Sequence, residues 1–298
     1  MNKKLKLTIA IPALNEANNI KNVVESLLVQ STRYFTLDAI IIASDGSTDS
    51  TVAESKKIKS RKIKILDFKN RRGKAYRLSQ IYKKINSDIV LIVDADLNIP
   101  STNVVDSMVY PFVNNNNIYM TGGNSVPLSS ENFVSNSIEC TIRPYLKLRD
   151  SVDSLTIGPI LAYRTSFAKK LRFPKDIYAE DIYSYLSCLS LGYEYKYCKD
   201  AIVYYRLPNT LQEHVYQNTK FVSSPMKMRE FFPKSLMVRE DYIPMKDLLL
   251  CMFQEFVYHP VHCIFIFGIN LYCRLIAVFK ANKLNSRWKI ISSTKSLI

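Results

Sequence analysis

Along the first hundred residues, short apolar runs alternate with stretches whose apolar positions recur every three or four residues. The runs cover residues 5–11, 39–43, 63–66 and 89–93, each of strand length. Between the first two, Ile20, Val23, Val24, Leu27 and Leu28 share one helical face and follow Asn15 and Glu16, residues that favour a helix start. Leu78, Ile81, Tyr82 and Ile85 repeat that spacing after Gly73. Strands separated by helical crossovers predict an α/β fold: a mainly parallel, Rossmann-like sheet of at least four strands, flanked by helices.

The pattern is looser from about residue 100 to 206. The TGGNS segment (121–125) predicts a turn, and GPILAYR (158–164) predicts a strand entered through a tight bend. In 179–192, AEDIYSYLSCLSLG, acids precede an apolar helical stretch, where they meet the positive end of the helix dipole, and Gly192 supplies the stop. Beyond these elements lies a basic stretch with Lys227, Arg229, Lys234 and Arg239. It is followed by 256–273, eighteen residues without Asp, Glu, Lys or Arg. Three readings of that segment stay open: a single membrane span, a helix lying in the bilayer interface beside Arg274, Lys280 and Lys283, or a buried core helix. The expected division is an α/β domain over 1–221 and a helical, partly apolar C-terminal extension over 222–298.

Composition narrows the classes. Lys and Arg number 41 against 26 Asp and Glu, a net charge of +15, while 47% of residues are apolar. Disordered and collagen-like chains are excluded, and the charge suits nucleic acid, an anionic bilayer or a polyphosphate ligand. Six cysteines without CxxC spacing read as reduced thiols of a cytosolic protein. The basic start and apolar run of MNKKLKLTIAIPAL superficially suggest a secretion signal, but Pro12 and the following LNE favour a first strand.

Ligands of doubly wound sheets sit beyond the carboxyl ends of the strands. There the sequence places IPALNE (11–16), SDGSTDS (44–50) and DADLN (94–98). Any one of these loops is ordinary turn and cap chemistry. Three polar and acidic strand ends in one cationic protein point instead to a metal and a phosphorylated ligand. Asp94 and Asp96, two residues apart, face one side if the strand continues through them, and two hard oxygens hold Mg²⁺ or Mn²⁺ with positions left for diphosphate.

Taken together, IPALNE, DGSTD, NRRGKA (70–75), DAD and the ED pair at 180–181 resemble, in order and spacing, a family 2 glycosyltransferase of the GT-A fold. The resemblance extends over roughly 5–221. It implies an inverting, metal-dependent transfer of one sugar from a nucleoside-diphosphate sugar, with uridine favoured, to a lipid-linked or glycan acceptor at the cytoplasmic face of the membrane. It further implies that Pro12, Ala13 and Glu16 line the nucleoside pocket and that Asp45 bonds the base or ribose. Gly73 and Lys74 fall near the donor phosphates. In DAD, Asp96 is the implied principal ligand of Mn²⁺ or Mg²⁺, beside Ala95, with Asp94 on ribose or a metal-bound water. Asp181 corresponds to the catalytic base and Glu180 to a helix-start acid. Gly158 and Pro159 shape the floor under the sugar. Where processive members carry QxxRW, this chain keeps Gln217 but has Lys220 and Phe221, so the bidentate fork is lost and a polymer synthase is disfavoured. His214 is open to three readings: completing the metal shell, donating to the diphosphate, or a structural hydrogen bond. Two other functions fit the sequence less well. A sugar-phosphate nucleotidyltransferase calls for a Gly-rich first loop, which IPALNE lacks, and a nucleic-acid-binding protein conflicts with the acidic strand ends.

Overall fold

The computed structural model describes residues 4–280 and 291–295. In chain order the first elements are β1 (Leu5–Ala13), α1 (Ile20–Leu28), β2 (Phe35–Asp45), α2 (Thr51–Lys57), β3 (Ile63–Phe68), α3 (Lys74–Lys84), β4 (Ile89–Val93) and α4 (Val104–Asn114). They continue as β5 (Ile118–Pro127), α5 (Phe133–Leu148), β6 (Ile160–Arg164), α6 (Thr165–Ala168), α7 (Glu180–Ser190) and β7 (Glu194–Tyr205). The C-terminal part is helical: α8 (Leu211–Met228), α9 (Lys234–Glu240), α10 (Met245–Tyr258) and α11 (Pro260–Lys280).

The strands form one seven-stranded sheet in the order β3-β2-β1-β4-β6-β5-β7. Only β6 runs against the rest, antiparallel to both β4 and β5. Alternation along β1 explains the two layers. Leu7, Ile9 and Ile11 enter a core with Val23 and Leu27 of α1 and Val105 and Val109 of α4, whereas Ala10 faces Leu78 and Ile81 of α3. A strand buried on both faces has no polar side, which is why these runs read as continuously apolar. The order reverses between β1 and β4, so the crevice beyond their carboxyl ends is the natural ligand site.

Two expectations are corrected. TGGNS is not a turn but lies within β5. A Cβ on Gly122 would stand 2.0 Å from Tyr195 Oη, and one on Gly123 2.6 Å from Ile160 Cγ2, so these glycines admit neighbours rather than bend the chain. Likewise, 256–273 is not one helix. It breaks at His259, because Pro260 cannot donate to the helix before it and instead starts α11. Among the described residues one stretch, Pro260–Ala277 of α11, is long and apolar enough by length and composition to cross a membrane. Lys283, an expected basic flank, lies outside the described residues. The expected division after residue 221 falls within α8, which runs from Leu211 to Met228.

Helices α10 and α11 dock on α5 and α8 through polar ties. Arg143 Nε donates to Glu255 Oε2 at 2.8 Å, Ser137 Oγ lies 2.8 Å from His262 Nδ1, and Asn270 Oδ1 accepts from Asn218 Nδ2 at 2.7 Å. Their outward faces are apolar, with Phe253 64%, Ile264 66% and Tyr258 77% exposed.

Candidate active site

Each strand end is locked by the next loop. Asn15 takes a left-handed conformation (φ 56°) and its Oδ1 accepts from Thr48 N at 2.8 Å. Thr51 Oγ1 accepts from Glu16 N at 2.7 Å, and Asp49 Oδ2 from Ala17 N at 3.1 Å. Much of the DGSTD motif therefore serves to hold the IPALNE loop, which buries Glu16 at the rim of the crevice.

Asp45 does the same for the basic loop. Its Oδ1 accepts from Arg72 N at 2.8 Å and Arg77 Nε at 2.6 Å, and its Oδ2 from Gly73 N at 2.7 Å. A carboxylate oxygen has two lone pairs, so Oδ1 is filled while Oδ2 keeps one acceptor position. Gly73 sits at φ 93°, a backbone state open to glycine, and this turn starts α3 with Lys74 directed at the acids. Arg77 was not singled out from the sequence. Its position on the α3 face is that of a core residue, and its guanidinium lies 3.8 Å from the centre of the Phe68 ring.

Lys74 Nζ bridges Asp94 Oδ1 at 2.7 Å and Glu180 Oε1 at 2.8 Å. Burial opposes its charge, but Asp94 and Glu180 outweigh burial and hold the ammonium well above its ordinary pKa. Glu180 responds in the opposite sense: burial would raise it, and Lys74 with Lys220 brings it below the usual range. Asp181 is pushed up, first by burial and then by Glu180. Two adjacent carboxyls at the start of α7 are thereby differentiated, one neutralised by an ion pair and one lifted toward the range where a base works. Lys220 is lowered by burial.

Strand β4 ends at Val93, so Asp94 and Asp96 stand in the turn beyond it rather than alternating along the strand. Asp94 N donates to Pro159 O at 3.0 Å, which fixes the turn on the segment before β6. Burial lifts the Asp94 carboxyl, and Asp96 adds to this against the pull of Lys74. Asp96 Oδ2 lies 3.6 Å from Lys295 Nζ, and Lys295 also pairs with Glu16. Glu16 is pushed up to about 7, mainly by burial and next by Asp96. These oxygens already gather two ammonium groups, so their chemistry suits a hard divalent cation. Among the described residues, no three His, Cys, Asp or Glu side chains are grouped to hold a metal by themselves. The pair fits such an ion only with diphosphate oxygens and water completing the shell.

Glu16, Asp45, Lys74, Asp94, Asp96, Glu180, Asp181, Lys220 and Lys295 line one cleft of about 470 Å³. Pro12, Ala13, Glu16, Asp45, Gly73 and Lys74 form one wall, and Asp94, Ala95 and Asp96 the adjoining one. Asp181, His214, Gln217 and Lys220 face them from α7 and α8. His214 Nε2 is 2.9 Å from Asn270 Oδ1, a contact that ties α8 to α11, and burial lowers its pKa. Arg164 is turned away from the cleft and donates to the carbonyls of Ile118, Phe112 and Asn115. Sequence reasoning missed Ile291, Thr294 and Lys295 on the cleft wall, because nothing in their spacing links them to residues almost two hundred positions earlier.

A GT-A-type sheet with acids ranged along its carboxyl rim is the architecture of a glycosyltransferase. The chain belongs to glycosyl transferase family 2, whose model matches residues 8–171, more than half of its length. It is 25% identical over 210 residues to the O-antigen chain rhamnosyltransferase RfbN of Salmonella typhimurium, covering 67% of this chain and 66% of that protein. In structure it resembles the mannosyltransferase PcManGT from Pyrobaculum calidifontis, solved with GDP-Man and Mn²⁺. The TM-score is 0.67 at 16% identity over 94% of this chain and 88% of that one. It also resembles glucosyl-3-phosphoglycerate synthase from Mycobacterium tuberculosis, solved with Mn²⁺, UDP and phosphoglyceric acid (TM-score 0.58, 20% identity, 78% and 80% coverage). At these identities the two structures establish the shared fold.

Proposed function

We propose that this protein is an inverting transferase that moves one sugar from a UDP-sugar to a lipid-linked or glycan acceptor at the cytoplasmic membrane surface. The observation that carries the reading is the meeting of Asp94 and Asp96 with Asp181 and Lys220 across a single cleft. Pro12, Ala13, Glu16 and the spare lone pair of Asp45 Oδ2 receive the nucleoside. Gly73 and Lys74 border the diphosphate, and Gln217 and Lys220 face it from α8. Asp96 and Asp94 would hold Mn²⁺ or Mg²⁺, as suits hard oxygen donors, and such a cation would supply charge neutralisation for the nucleoside diphosphate. His214 also lines the cleft, with its Nε2 bonded to Asn270 Oδ1.

Asp181 takes the proton from the acceptor hydroxyl as that oxygen attacks the anomeric carbon on the face opposite the leaving diphosphate. Lys74 keeps Glu180 ionised and orients it, which in turn keeps the proton affinity of Asp181 high. Inversion requires one displacement and one base, so no second carboxylate nucleophile is needed.

Membrane attachment is supported by the second, outward apolar face of α10 and α11, where Phe253, Tyr258 and Ile264 stay exposed although Ile266 already packs inward with Ile138 and Leu207. α11 packs on α5 and α8 of the catalytic part, which favours a helix lying along the interface over one crossing the bilayer.

The deciding measurement is calorimetry of UDP and GDP with and without Mn²⁺. We expect Mn²⁺ to tighten UDP binding to the wild-type protein and to have no such effect on Asp96→Asn. A protein that binds neither nucleotide overturns the reading.

A further inference from the structure

Residues 291–295 come back to the mouth of the cleft from the far end of the chain. They are fastened at the start of α8, where Glu213 accepts from Ser292 N and Ser292 Oγ, both at 2.8 Å, from Ser293 N at 3.2 Å and from Ser293 Oγ. Asn209 N donates to Ser293 Oγ at 3.2 Å, and Thr294 Oγ1 to Ile291 O at 3.1 Å. Ile291 and Thr294 are buried, and with Lys295 they form part of the cleft wall. From this anchor on the α8 side, Lys295 reaches across to Glu16 beyond β1 and Asp96 beyond β4. Five residues thus bridge the two sides of the site.

We infer that this segment completes the donor site and that Lys295 is a donor-binding residue, its ammonium contacting an anionic oxygen of the diphosphate. The inference rests on reading the cleft as a nucleotide-sugar site. An ammonium has three N–H donors, and Glu16 and Asp96 are the partners given to it here. With a divalent cation held by Asp96, that carboxylate would be engaged and the diphosphate would lie beside it. Lys295 then keeps Glu16 and turns a proton toward phosphate. The alternative use of the same geometry is a plug, in which the ammonium must leave before a cation enters. The two differ in sign: a donor ligand strengthens nucleotide binding, and a plug weakens it.

The test uses the full chain and UDP as probe, titrated calorimetrically in Mn²⁺ and again in EDTA, with Lys295→Met, Lys295→Arg and the Ser292→Ala/Ser293→Ala pair. Lys295→Met removes charge at nearly constant volume. It is expected to weaken UDP binding about tenfold, the scale of one charge-assisted hydrogen bond, in both buffers. The donor KM should rise while kcat changes less, and Lys295→Arg should recover most of the loss. The serine pair, which keeps the lysine and releases its anchor, should weaken binding in the same direction. Equal UDP affinity of Lys295→Met and wild type overturns the inference, and so does tighter binding in Mn²⁺, the signature of a plug. If wild type itself binds no nucleoside diphosphate, the donor-site reading fails first and this inference with it.

Discussion

Arg77 Nε lies 2.6 Å from Asp45 Oδ1, and both side chains are almost wholly buried. The pair joins the end of β2 to α3 and holds the 70–73 loop, because Arg77 also donates to Asn70 O and to Gln80 Oε1. Removing one partner of such a pair strands the other charge where burial leaves it little solvation. Arg77→Ala is expected to cost about 3–5 kcal/mol of stability. Asp45→Asn, which keeps an acceptor, should cost less. Urea unfolding of the three proteins checks the order, and an Arg77→Ala protein as stable as wild type removes the pair from its structural role.

Asp181→Asn preserves size and removes proton affinity. We expect kcat to fall about 10²- to 10⁴-fold, the usual worth of a positioned base, with UDP affinity little changed. Because burial and Glu180 lift the Asp181 carboxyl, wild-type activity should rise with pH through a value above the ordinary aspartate pKa. Glu180→Gln removes the neighbouring charge and should move that inflection to lower pH. An unmoved pH profile, measured under saturating donor, argues against the coupling.

His214 provides a pH test of the α8–α11 contact. Burial lowers its pKa, so the folded protein holds it neutral while the unfolded chain protonates it below about 6.5. Its contribution is therefore complete above that pH and is lost as pH falls through the lowered folded value. His214→Gln, which can still donate to Asn270, should flatten the decline of stability between pH 7 and 5. Thermal unfolding across that range measures the slope, and parallel wild-type and variant curves would disprove the assignment.

The outward face of α10 and α11 should govern vesicle binding. Phe253→Asp together with Ile264→Asp places two charges where the side chains are already exposed, so folding should be nearly unaffected. Co-sedimentation with anionic phospholipid vesicles is expected to drop at least severalfold, since burial of apolar area drives interfacial binding. Undiminished sedimentation at unchanged melting temperature counts against a lipid-facing role.

The first four strands and first helices could be read in advance because burial on both faces makes 9–11 of β1, 39–43 of β2 and 89–93 of β4 continuously apolar, and α1 and α3 carry one apolar stripe each. The acidic strand ends were legible for the same reason: topology sends every parallel strand's carboxyl end to one rim. Gly122 and Gly123 misled because a glycine signals a turn locally, whereas here the requirement is space for Tyr195 and Ile160.

The amino-acid sequence by itself determined the first four parallel strands, their polar carboxyl ends and the acids those ends carry. Tertiary structure decided which cation each acid faces: Arg77 on Asp45, Lys74 between Asp94 and Glu180, Lys295 between Glu16 and Asp96. Periodicity records which side of an element is buried, a property of neighbours a few residues apart. Ion pairing depends on distance in space, and a lysine placed 199 positions after Asp96 becomes its neighbour only when the chain has closed.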